Sequence, residues 1–187
     1  PADAAALAAE QVRLAALPPG QLAFDPEGPI GACFACFIRG GYGAGAAGDP
    51  GWAGAAWWQA GRRTAGAAVA VSGAAGGPYL PGLLALREGP LLEAAMRALP
   101  ASPAVLLVDA TGRDHPRGAG LAVHLGAVLN IPTVGVTHRP LLAEGEWPAD
   151  RRGAASPLRL HGRLIGFWLR TRQGARPLVV HAAWGTS

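Results

Sequence analysis

The sequence contains no lysine: all 16 basic residues are arginine, set against 12 acidic residues for a formal charge of +4. Schiff-base chemistry and a lysine general base are therefore excluded. Cysteine is almost as scarce. Cys33 and Cys36 are too few and too close together to staple a secreted scaffold, so the expected setting is a reducing cytoplasm without a disulfide framework. A secretory leader is not expected, because Asp3, Glu10 and Arg13 interrupt the opening alanine-leucine pattern. The stretch from Thr64 to Leu86 lacks charge over a membrane-spanning length, but seven of its residues are glycine or proline. It is rich in alanine besides, so no membrane association is expected.

What is present is a 50% hydrophobic chain of 187 residues, long enough for one domain over 1–187 with a real core and too short for two. A pI near 10 admits a polyanionic partner, although an arginine-only, alanine- and glycine-heavy composition also follows from genomic base bias.

Periodicity and punctuation order the chain. Residues 3–17 carry Leu7, Val12, Leu14 and Leu17 at near-helical spacing and stop at Pro18-Pro19-Gly20. The apolar run Ile30–Ile38 is short and bounded by Pro29 and Gly40-Gly41, as a strand buried on both faces would be. Trp52–Gln59 and Thr64–Ser72 flank Gly61-Arg62-Arg63 in hairpin fashion, predicting a three-stranded meander. A helix is expected from Pro90 to Pro100, a strand over Ala104–Val108, a helix ending at Asn130, and a strand over Ile131–Thr137. A last hairpin turns at Gln173-Gly174. Strands alternating with helices call for parallel crossovers, hence an α/β fold with a mixed sheet.

Candidate chemistry lies where polar residues end strands. Asp109 closes VLLVD, and Glu88 precedes the expected second helix; two carboxylates at element ends can share a metal, or can serve as a loop cap and a solvated helix end. His138 follows the next strand beside Arg139. Arg113, His115 and Arg117 sit in one loop suited to phosphate contact, or simply exposed. Tyr79, held between Pro78 and Leu80-Pro81, offers a wedge or stacking platform for a base, or packs on the helix that follows. Cys33 and Cys36 have CxxC spacing, but side chains three apart on a strand diverge, so one or both read as small buried apolar groups rather than a shared metal or redox site.

The segments PYLPGLLALREGPLL, VLLVDATGRDHPRGAGLAVHLG and NIPTVGVTHRPL resemble the endonuclease V family in order and spacing. The match is strong from Pro78 to Leu141 and weaker toward both ends. The resemblance implies a ribonuclease H-like fold and DNA or RNA as partner. It also implies metal-dependent cleavage of a phosphodiester near inosine or deoxyinosine, the metal being Mg or Mn held by carboxylates. By the family's motifs, Glu88 in REGP and Asp109 in VDATG match metal-site carboxylates, and Tyr79 and His115 match the wedge tyrosine and the HPRR histidine.

The departures are as informative. Where the family has an aspartate in GxD, Gly31-Ala32-Cys33 offers a thiol; its VDGHG glycine-histidine becomes Ala110-Thr111; its lysine becomes His138; and an acidic or histidine metal-site position falls near Trp184. A sulfur ligand disfavours magnesium. Three functional expectations follow: a pseudonuclease that binds nucleic acid or a protein partner; a repurposed enzyme using Cys33, His138 and Asp109 as a thiol or Zn site; and an active deoxyinosine endonuclease.

Overall fold

The computed structural model describes residues 3–17, 25, 27–38, 45–59 and 66–186. Helix α1 (Ala4–Ala16) starts where the Asp3 carboxylate accepts the Ala6 amide, the side-chain cap expected of an aspartate at that position. Its buried Leu7, Gln11 and Leu14 recur at the spacing that lines one helical face. Strands β1 (Pro29–Phe37), β2 (Pro50–Gln59) and β3 (Ala67–Ala74) form the expected antiparallel meander. The hairpin residues Gly61, Arg62 and Arg63 lie outside the described residues. Helix α2 (Leu84–Arg97), strand β4 (Val105–Val108), helix α3 (Leu121–Leu129) and strand β5 (Thr133–Thr137) follow, and β1, β4 and β5 pair in parallel. Strands β6 (Ala155–Leu160), β7 (Arg163–Leu169) and β8 (Leu178–Ala182) extend the sheet antiparallel, in the order β3-β2-β1-β4-β5-β8-β7-β6. The fold is the ribonuclease H-like α/β arrangement.

All three helices gather on one face of the sheet, where Leu7, Leu14, Leu92, Leu106, Val123 and Leu125 form the main core. The sheet supplies Ala35, Ala53 and Ala55 to this core beside Cys33, Leu106 and Val108, and backbones approach closely. Gly135 shows how close: a Cβ there would collide with the Ala110 carbonyl and lie 2.9 Å from the Gly112 nitrogen. The loop after β4 thus crosses directly over β5, and no larger residue fits beneath it.

Two expectations are corrected. Helix α2 begins at Leu84 rather than at Pro90, so Pro90 sits inside it and Glu88 belongs to the helix instead of preceding it. Proline cannot donate to the Leu86 carbonyl; Gly76 packs against this opened turn, and its amide donates to the Arg87 carbonyl (3.0 Å). Strand β6 has no counterpart in the sequence reading, because Pro157 interrupts its pattern. The sheet tolerates that proline because β6 is an edge strand.

Candidate functional site

The parallel pairing of β1 with β4 places Cys33 opposite Val108, one residue before Asp109. Residues 31, 33 and 35 face the core while Phe34 and Cys36 are exposed, so the two cysteines point to opposite faces, as strand geometry requires. Cys33 is 5% exposed. Its burial first, then the charges of Glu88 and Asp109, push the thiol up to about 12. Glu88 feels the same crowding: burial, then Asp109, push its carboxyl up to about 7, against a smaller opposing pull from Arg87. Cys33, Glu88 and Asp109, on β1, α2 and the end of β4, are therefore electrostatic neighbours.

A cavity of about 290 Å³ opens beside them at the carboxyl ends of the parallel strands, lined by Cys33, Asp109, Thr137 and His138 among others. His138 is exposed at its rim. A second cavity, about 260 Å³, shares Asp109 and Thr137 and continues on the helix side past Tyr79, Thr111, His115 and Leu141. Tyr79 stands 46% exposed at its edge. Trp184 belongs to the other end of β5, where its amide donates to the Thr133 hydroxyl and its carbonyl accepts the Thr133 amide; it takes no part in this site.

The Tyr79 turn is held from behind. The Gly82 carbonyl accepts from Gln11 Nε2 (3.1 Å), His115 Nε2 (3.1 Å) and Arg117 Nη2 (2.6 Å). His115 Nδ1 accepts the Arg117 amide, which assigns the imidazole proton to Nε2; burial keeps this ring's pKa below the ordinary value. Gly82, at φ +75°, adopts the left-handed backbone that glycine accommodates without strain. His115 and Arg117 are thus tied to the fold, and Arg113 reaches the carbonyls of Leu14 (3.3 Å) and Ala15 (3.5 Å) at the end of α1. Gln11, 1% exposed and bonded to both Gly82 and Arg117, was missed from sequence because a single glutamine on an alanine-rich helix carries no signal.

Also missed was a buried polar cluster under the same cavity. The Asp114 carboxylate, fully buried, accepts the amides of Leu141 (2.6 Å), Leu142 (2.8 Å) and Ala143 (2.9 Å), fixing the segment after His138. His181, also fully buried, shares a 3.0 Å hydrogen bond through Nε2 with the Thr137 hydroxyl, and its Nδ1 lies 3.9 Å from Asp114. Burial outweighs the Asp114 charge and holds the imidazole below its ordinary value. Replacing Asp114 with alanine would strand three amides, and Asp114→Ala is expected to cost about 3–5 kcal/mol in urea unfolding; a loss under 1 kcal/mol would mean the segment is held by other contacts.

Glu88 and Asp109 are oxygen ligands suited to a hard cation. The third position that the resemblance implies falls on Cys33, a buried thiol held well above its ordinary pKa, and among the described residues no three His, Cys, Asp or Glu side chains converge to hold a metal ion. The set does not fit a three-carboxylate magnesium or manganese centre, nor does it assemble a zinc site.

A family model described as Endonuclease V matches residues 45–184. An Endonuclease V of Thermus thermophilus is 48% identical over 105 residues, 55% of this chain and 46% of its own length. One from Desulfurococcus amylolyticus is 45% identical over 98 residues, 52% of this chain and 43% of its own length; the chain thus spans less than half the length of these relatives. The crystal structure of the Streptomyces avermitilis Endonuclease V superposes with a TM-score of 0.82 at 31% identity, covering 97% of this chain and 76% of that one. The family match begins at residue 45, so it is the pairing of β1 with β4, rather than sequence similarity, that sets Cys33 beside Asp109.

Proposed function

We propose, since the chain belongs to the endonuclease V family, that it binds nucleic acid, inosine-containing strands among them, without cleaving it. The observation that carries this reading is the buried Cys33 thiol, set beside Asp109 by the pairing of β1 with β4, where the resemblance calls for an aspartate. A hard-metal centre that loses one carboxylate loses both charge and geometry. The binding half of the site remains built: Tyr79 projects from a turn that Gln11, His115 and Arg117 hold in place beside a cavity large enough to admit a flipped base. Extruding a base and stacking it against an aromatic is how proteins read a nucleotide removed from its helix.

A thiolate mechanism gains no support from this geometry. Reactive thiols sit in electropositive, partly exposed surroundings, whereas Cys33 is buried beside two carboxylates. Free thiols at Cys33 and Cys36 accord with a reducing, cytoplasmic setting, and no helix of the described residues is long and apolar enough to cross a membrane.

The test is to incubate the protein with inosine-containing single- and double-stranded DNA and RNA, with magnesium or manganese, scoring cleavage and binding in the same samples. Binding without cleavage is expected, with Tyr79→Ala weakening it by about 5- to 100-fold, the range for losing one stacked base. Metal-dependent cleavage by the unaltered protein would overturn the reading.

A further inference from the structure

We infer that the loops at the carboxyl end of β7 and the amino end of β8 form a second contact for single-stranded nucleic acid, a track continuing from the Tyr79 cavity and centred on Trp147. The inference rests on the nucleic-acid reading above and adds a surface to it.

The loops 145–153 and 170–177 are stitched together by one buried side chain. Arg170, 7% exposed, donates to the carbonyls of Pro148 (3.2 Å), Ala149 (3.2 Å) and Ala175, and pairs with Asp150 at 3.4 Å. Asp150 also accepts the Gly174 amide (2.8 Å). What this framework displays is an indole: Trp147 is 53% exposed, edge-on to the buried Trp168 at 6.1 Å. Arg170 and Arg176 lie over its ring at 6.0 and 5.7 Å. Arg151, Arg152, Arg172 and Arg176 are all solvent-facing on the same two loops. Their acidic company is Asp150, matched by Arg170, and Glu146.

Position decides what this surface serves. Strand β8 runs antiparallel to both β5 and β7, with Val179 opposite both Thr137 and Trp168. The end of β7 that leads to Arg170 is therefore the same end of the sheet as Asp109 and Thr137. Three strand spacings of about 4.8 Å separate β4 from β7, roughly 14 Å, within reach of one bound strand. Leu141, 50% exposed, lines the Tyr79 cavity. An exposed aromatic among solvent-facing guanidiniums is the composition that binds single strands, the ring stacking a base and the cations following the phosphates.

The experiment measures fluorescence anisotropy of labelled 20-nucleotide single strands across a salt series. It compares the unaltered protein with Trp147→Ala, Trp147→Phe, the double variant Arg172→Ser/Arg176→Ser, and Tyr79→Ala. Trp147→Ala is expected to weaken binding by about 5- to 100-fold, and Trp147→Phe to keep most of it. The arginine pair, outside the core, should lower the salt slope by roughly 1.4, about 0.7 for each phosphate no longer neutralised, whether or not Trp147→Ala folds. If Tyr79→Ala weakens binding while the arginine and Trp147 variants match the unaltered protein, the track is refuted and the Tyr79 site stands. Absence of any binding by the unaltered protein refutes both. Equally tight capture of poly-glutamate, abolished in the same variants, would assign the surface to an acidic protein segment and overturn the nucleic-acid track.

Discussion

Cys33→Asp is expected to destabilise the protein in the absence of metal by about 3–5 kcal/mol, the cost of an uncompensated buried charge, and to become strongly metal-stabilised where the unaltered protein is not. Position 33 is 5% exposed and lies in a strand paired on both sides. Among the described residues, the charges that raise its thiol are the carboxylates of Glu88 and Asp109. An aspartate there must either bury a third negative charge or take up a proton. A divalent cation removes that conflict, and at a thousandfold excess over its Kd it returns about 4 kcal/mol. In thermal melts with EDTA, then with magnesium or manganese, the variant should first fall and then recover by on the order of 10 °C, given roughly 2–4 °C per kcal/mol for a chain of this size. Cys33→Ser, neutral and of similar shape, should do neither. Metal stabilisation of the unaltered protein equal to that of the variant would show that the thiol is no obstacle to binding, and would remove the main support for a non-cleaving protein.

The contrast between what sequence and structure each disclose follows from the range of the interactions. Strands β1, β4 and β5 were readable because each is a short apolar run between glycine or proline signals, and the parallel order followed from the helices between them. The carboxyl-end location of Asp109 and His138 was readable for the same reason. Helix α2 was started six residues late because a proline reads locally as a first-turn residue, whereas its tolerance inside the helix at Pro90 depends on Gly76, fourteen positions earlier in the chain. The same limit hid Asp114. Its three amide partners lie 27 to 29 residues away, so nothing near Asp114 in sequence distinguishes a loop aspartate in solvent from one that anchors a distant segment. For His115 and Arg117 a basic loop suggested phosphate contact, and what the sequence did not show is that both groups are bonded to the Gly82 carbonyl. The exposure of Tyr79, by contrast, was legible from its adjacent prolines alone.

Glu88→Gln is expected to make the protein more stable at pH 8, by about 2–3 kcal/mol, and to leave stability unchanged below about pH 4.5. The sign follows from proton binding. In the folded protein the Glu88 carboxyl is raised to about 7 by burial and by Asp109, from an ordinary 4.5. Between those values the folded state holds more protons than the unfolded one, so stability falls as pH rises, and above 7 the full penalty is present. Glutamine keeps the shape and removes the charge. His115, His124 and His181, lowered chiefly by burial, act in the opposite direction: the unfolded state gains protons first as the solution is acidified. Their contribution is common to both proteins and cancels in the difference. Urea unfolding at about pH 4.5 and pH 8, with EDTA throughout, reads the effect directly, and equal stability at the higher pH would mean that solvent or a counter-charge already relieves Glu88. A stabilising Gln substitution would have a further meaning: the Glu88–Asp109 pair persists at a cost to the fold, as carboxylates kept for binding do, even beside a thiol where the resemblance implies a third carboxylate.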